Sequence, residues 1–158
     1  PAPAAAAPAA PLTLAELAPF LPRVCTRAVQ RHATLAAASS SASVASTTSV
    51  SEHADVAVLF VDVAGYSTLA DALRTAFGGD GGGDELLTAL LNDYVSRVVM
   101  FIEARGGDTV AFCGDAVLAL FDAAAGGVAA ATRCALDVQR NLHEFKSEAA
   151  AAAKEQLE

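Results

Sequence analysis

Two carboxylates are the residues of this chain best placed to do chemistry. Asp62 closes the apolar run in LFVDVAGYS (59–67), and Asp115 follows Gly114 in DTVAFCGDAVLALF (108–121), 53 residues further on. A buried carboxylate without a partner is costly, so Asp62 is expected either to be paired or to sit where its strand surfaces. If the second stretch is a hairpin beside the first strand, both acids reach the same end of one sheet. Two carboxylates in one place resist ionising together, and the usual resolutions are a shared proton or a divalent cation. Hard oxygen ligands on a rigid edge favour Mg²⁺, which takes one or two carboxylates plus substrate phosphates. Two such ions close together can hold the attacking and leaving oxygens of a phosphoryl displacement. The segment after Asp62, AGYS (64–67), is small and leads into a helix, whose first N–H groups and dipole suit a triphosphate. The same pattern also serves as a helix cap or turn former, and spacing alone leaves both uses open.

The elements that must position these acids follow from periodicity. DVAVLFVD (55–62) is β-branched and almost uniformly apolar, which predicts a central strand buried on both faces. STLADALRTAF (67–77) reads as a short helix and GGDGGGD (78–84) as a loop. DELLTALLNDYVSRVVMFIEA (84–104) is the strongest helix, with Asp84 as its cap and Leu87, Leu90, Leu91, Tyr94, Val98 and Ile102 on one stripe. After RGG (105–107), strand, tight turn at Gly114-Asp115 and strand form a hairpin. A last helix from Asp122 carries Val128, Leu136, Val138, Leu142 and Phe145. The order is β-α-α-β-β-α.

Five regions are expected. Residues 1–11 are Pro/Ala low complexity. Residues 12–34 form a helical segment, opened by a Thr13–Glu16 capping box and broken by Pro19 and Pro22. Residues 35–53 are a Ser/Ala linker, 54–147 the domain proper, and 148–158 an Ala-rich tail that is helical or disordered.

Composition narrows the partners. The net charge of −8 over 158 residues argues against nucleic acid or an anionic membrane surface. It leaves open a nucleotide held by metal ions. Cys25, Cys113 and Cys134 show neither zinc spacing nor a disulfide framework, which points to a reducing intracellular, cytoplasmic setting. No run is long and apolar enough to span a membrane. The chain starts without Met and without a signal-peptide pattern, so it is expected to begin inside a longer one.

VLFVDVAGYSTLAD (58–71), the stretch 90–121 ending in GGDTVAFCGDAVLALF, and RCALDVQRNLHEF (133–145) together resemble the class III nucleotidyl cyclases. The nearest likeness is to the first catalytic domain of the soluble, bicarbonate-regulated adenylyl cyclases. The family's strand signature F-x-D-[IV]-x-G-[FY]-[ST] matches Phe60 to Ser67, and its hairpin signature GGD-x-x-x-F-x-GD-A matches Gly106 to Ala116. The resemblance covers about residues 55–146 and implies an α+β sandwich: a ferredoxin-like or palm-type mixed sheet with helices on one face, of which only the first part is present. It implies that Asp62, Asp115 and the backbone carbonyl of Val63 bind two Mg²⁺ (or Mn²⁺). The peptide groups of Ala64, Gly65, Tyr66 and Ser67 would cradle the triphosphate of ATP, whose ribose 3′-hydroxyl attacks the α-phosphorus and expels pyrophosphate to leave cyclic AMP. It further implies a second cyclase domain as partner, on the same or another chain, that supplies base-selecting and transition-state residues. Nothing here matches that half, so the fragment alone is expected to be inactive. A ciliary or flagellar address is compatible with the family.

The chain departs from the pattern at Ala111, where the family often carries Lys before the Phe. That weakens the expectation of bicarbonate activation and of tight ATP binding. GGDEL (82–86) resembles the diguanylate cyclase signature but opens a helix instead of lying on a hairpin, so it is read as a decoy. Cys113 is read as a small core residue, and His32, His53 and His143 as solvated. Asp108 is read as ending the RGG turn, not as a metal ligand. Three functions compete: the metal- and nucleotide-binding half of an adenylyl cyclase, a catalytically silent cyclase-like module in a larger assembly, and a guanylyl cyclase.

Overall fold

The computed structural model describes residues 12–38, 53–77 and 82–146. The chain divides into two compact units between Glu52 and His53, and each is described by itself. The segments 1–11, 39–52, 78–81 and 147–158 lie outside the described residues, and with them the expected low-complexity start, most of the linker and the tail.

In the first unit the capping box is present. Thr13 N–H donates to Glu16 Oε2 at 2.8 Å, and Glu16 N–H donates to Thr13 Oγ1 at 3.4 Å. These hydrogen bonds from Thr13, the backbone one foremost, hold the Glu16 carboxyl below its usual range. Helix α1 (Leu14–Leu17) passes into a 3₁₀ turn, Ala18–Phe20, that contains Pro19. Leu21 is extended, as the residue before a proline should be, and α2 (Arg23–Ala38) begins after Pro22. α2 continues past position 34, the boundary expected from sequence, because Leu35 and three alanines extend it as far as the serine run.

The second unit has the order expected from sequence: β1 (Val56–Val61), α3 (Tyr66–Phe77), α4 (Gly82–Ala104), β2 (Asp108–Cys113), β3 (Ala116–Asp122) and α5 (Gly127–Leu142). The sheet order is β1-β3-β2 and both pairings are antiparallel. This departs from the mixed sheet expected from sequence. The α3–α4 crossover makes β1 and β2 run the same way, but the return strand of the hairpin inserts between them, so no parallel pair forms among the described strands.

β1 is also not the central strand its composition suggests. It lies at the edge of the described sheet and alternates: Ala57, Leu59 and Val61 face the core, while Val58 and Phe60 are 60% and 57% exposed. An apolar run without polar alternation cannot reveal which of its faces is covered. The inward residues of β1 and β3 pack under α4 and α5, and Val61, Val98, Ile102, Val117, Phe121 and Cys134 form the centre of one core. In α4 the expected stripe is right at Leu87, Val98 and Ile102, which are buried. In α5 it is shifted: Val128 and Leu136 are exposed, and Ala131, Cys134, Val138 and Leu142 face inward. Asp122 does not open this helix; its carboxylate accepts from Ala124 N–H at 2.9 Å and caps a 3₁₀ turn, Ala123–Ala125. An ion pair of 2.6 Å between Arg105 and Asp137 joins the end of α4 to α5. No helix among the described residues is long and apolar enough to cross a membrane.

Candidate metal and phosphate site

The antiparallel register brings the two acids together at one end of the sheet. Val61 pairs with Val117, so Asp62, the next residue, comes level with Ala116, and Asp115 immediately precedes Ala116. Cys113 pairs with Ala116, which leaves Gly114 and Asp115 as a two-residue hairpin loop. Gly114 has φ +70° and Asp115, like every other non-glycine among the described residues, does not have positive φ, the pattern of a type II′ turn with glycine first. The turn fixes Asp115, and the end of β1 fixes Asp62. Asp62 is exposed and Asp115 half-buried. Among the described residues neither is ion-paired.

Asp62 Oδ1 accepts from Val63 N–H at 3.0 Å, which turns the chain out of the strand. Ala64 and Gly65 make the turn, Gly65 with φ +83°, and α3 starts at Tyr66. Leu69 N–H bonds back to the Gly65 carbonyl at 3.0 Å. The first N–H groups of α3, from Tyr66 and Ser67 onward, are thus those a helix leaves without an intrahelical acceptor. They lie one short turn from Asp62. Ala64, Gly65 and Ser67 are exposed and Tyr66 half-buried, so the expected cradle is open to a ligand.

Tyr94 is a neighbour that sequence reasoning assigned only to the core. It packs there, edge-on to Phe145 with ring centroids 5.5 Å apart, and Arg97 lies 5.4 Å over the same Phe145 ring. Its phenol is pushed above its usual range by burial and, second, by the negative charge of Asp62. No spacing rule links positions 62 and 94; only the tertiary packing that sets Tyr94 of α4 against the same core as Val61 of β1 does.

Other expectations divide. Cys113 is exposed, not core, because it ends β2 at the hairpin, and the neighbouring Phe112 is 62% exposed. Ala111 pairs with Leu118 on β2 and is half-buried, so the departure from the family pattern lies within the sheet. Asp108 begins β2 opposite Leu120. His32, His53 and His143 are exposed. Asp84 lies inside α4, not at its cap, and pairs with Arg74 at 3.0 Å. Among the described residues no group of three His, Cys, Asp or Glu could enclose a metal ion. A cation here would therefore complete its shell with backbone, water or ligand oxygens, as Mg²⁺ does.

No family model matches the chain. It is similar to adenylate cyclase type 10 of rabbit (Oryctolagus cuniculus), 36% identical over 70 residues, which is 44% of this chain and 4% of that protein. The rat protein of the same name is 37% identical over 67 residues, and the human one 33% over 70. The chain thus matches only a small part of these relatives' length. Among solved structures it superposes on a bacterial light-regulated adenylyl cyclase with a TM-score of 0.50 and 20% identity, covering 84% of this chain and 33% of that one. The chain is thus a homologue of the adenylate cyclase type 10 proteins over part of its length, and its α+β architecture is that of an adenylyl cyclase domain.

Proposed function

We propose that residues 54–147 are the metal- and nucleotide-binding half of an adenylyl cyclase site. The observation that carries this reading is the convergence of Asp62 and Asp115 at one end of the sheet, one turn from the open start of α3. Two accessible carboxylates that no cation among the described residues pairs with fit a divalent metal. Asp62, the Val63 carbonyl and Asp115 are the groups that would hold Mg²⁺ or Mn²⁺. When bound, these ions would neutralise triphosphate charge and acidify the ribose 3′-hydroxyl.

The chain's own part is positioning. The N–H groups following Gly65 would receive the β- and γ-phosphates, with the α3 dipole favouring their charge. The hairpin loop would hold Asp115 against the same polyphosphate, and the rigid antiparallel ladder would keep the two acids in register. Base selection between ATP and GTP, and the groups that stabilise the transition state, would come from a second cyclase domain. The fragment alone would therefore bind nucleotide without turning it over.

A second reading has its own observation. Ala111 puts a methyl group where the family often has a lysine, and removes a cation that would face the nucleotide. On that reading the domain is a silent module serving a larger assembly.

One experiment separates them. Mg²⁺- or Mn²⁺-dependent binding of a non-hydrolysable ATP analogue is measured by calorimetry for wild type, Asp62→Ala and Asp115→Ala. Metal-dependent binding lost in both variants supports the cyclase reading. No binding, or binding indifferent to both changes, leaves the silent module. GTP analogue competition then reports base preference.

A further inference from the structure

The charge of −8 is not spread evenly along the chain. α2 carries Arg23, Arg27 and Arg31, all exposed, at the i, i+4, i+8 spacing that sets side chains in one row, and it has no Asp or Glu in 16 residues. Val24, Cys25, Ala28, Val29 and Leu35 fall on the other arc, with the exposed His32 among them. An amphipathic helix normally lays such an arc on a core, and most of a helix's stability in a protein comes from that packing. Here none of the described side chains from 12 to 35 is buried. Phe20, just ahead of α2, is 83% exposed, and Leu35 and Val29 are 67% and 44% exposed.

We infer that α2, together with Phe20, docks on an anionic bilayer surface. A helix of low overall hydrophobicity, with a mainly apolar arc and a polar arc whose only charges are arginines, lies in the plane of the headgroups. The two arcs meet along an open groove lined by Arg27, Gln30, Arg31, Thr34 and Leu35. That boundary sets guanidinium groups beside aliphatic carbon, matching the level where lipid phosphates meet acyl chains. The apolar arc is broad and made mostly of alanine- and valine-sized residues. It lacks the large anchors at i, i+3 and i+7 by which a helix fills a protein groove. The whole-chain charge argues against a membrane surface only if acids and bases are interspersed, and in α2 they are not. The acidic remainder opposes approach to such a surface, so binding is weak and salt-sensitive.

The test is co-sedimentation of the purified chain with phosphatidylcholine–phosphatidylserine vesicles and with phosphatidylcholine vesicles, at low and high salt. The chain is expected to pellet with the anionic vesicles and not the neutral ones, and to be released by salt. Replacing Arg23, Arg27 and Arg31 by Gln weakens binding about fivefold per charge removed, and replacing them by Lys leaves it. Exchanging Phe20, Val29 and Leu35 for Ser weakens it without changing the salt response. The unfolding transition of the second unit serves as the folding control for every variant. Failure to pellet with anionic vesicles overturns the inference, as do equal pelleting with neutral ones or a Gln variant that binds like wild type. An acidic protein partner would give the first of these results.

Discussion

Two glycine–aspartate pairs in one domain show how much the surrounding element decides. Gly114-Asp115 forms a hairpin loop, and Gly83-Asp84 lies in the first turn of α4. Gly114 has φ +70° and open space where a Cβ would stand; its role is conformational. At Gly83 a Cβ would sit 2.7 Å from the Leu73 carbonyl oxygen, so its role is to let the α3 and α4 backbones meet. Asp115 is delivered to the end of the sheet where Asp62 waits. Asp84 is spent on Arg74, at a helix start where any acid is favoured. The same two letters thus mark a hairpin loop beside Asp62 in one place and a helix–helix seam in the other.

The sharpest way to break the comparison is at the seam. Gly83→Val forces a side chain against backbone that cannot rotate away, and should cost about 3 kcal/mol, the upper end of overpacking. Urea unfolding of the variant measures it; a midpoint like wild type would show that the helices separate freely and that the seam is not tight. The next effect is on ligand rather than fold. Asp115→Asn keeps shape and removes charge, so it should weaken metal-dependent nucleotide binding at least as much as the roughly 10–100-fold typical of outer-shell ligand partners. Asp84→Asn should leave that binding unchanged. If Asp84→Asn also abolished binding, the helical pair would have to be read as part of the site. Gly114→Ala is smaller again. Placing a Cβ on a left-handed residue costs about 1–2 kcal/mol, and because the site around it is open, the loss should appear in thermal unfolding with no clash to relieve.

What could be read from the sequence, and what could not, follows the same division between local and distant causes. The capping box, the proline break, the long α4 and the Gly114 turn are set by residues within a few positions of one another, and each is where the pattern puts it. The convergence of Asp62 and Asp115 needed only one further step, that the hairpin lies beside β1. The failures concern surfaces closed by distant chain. β1 reads as buried on both faces because its composition is uniformly apolar, yet Val58 and Phe60 are open. Cys113 reads as core by alternation, yet it ends its strand at the loop. In α5 the larger residues mark the inward stripe correctly at Val138 and Leu142 but not at Val128 and Leu136, while Ala131 and Cys134, too small to stand out, also face inward. The nearness of Tyr94 to Asp62, and the Arg105–Asp137 pair across two helices, leave no mark in sequence spacing.

The smallest effect tests whether the Arg74–Asp84 pair is a clamp or merely a favourable surface arrangement. The two side chains are 60% and 61% exposed, with Arg74 also 3.9 Å from Asp71. Solvent screens such a pair, and ordering two long side chains opposes it, so its coupling should be about 0.2–1 kcal/mol. A double-mutant cycle with Arg74→Gln and Asp84→Asn isolates that energy, and repeating it at high salt should shrink it further. A coupling well above that range, or one indifferent to salt, would mean that the charges rather than the glycine hold α3 against α4. The glycine–aspartate pair at the helix start would then act as a unit, as the one on the hairpin does, and the contrast between them would narrow to the single question of what each aspartate faces.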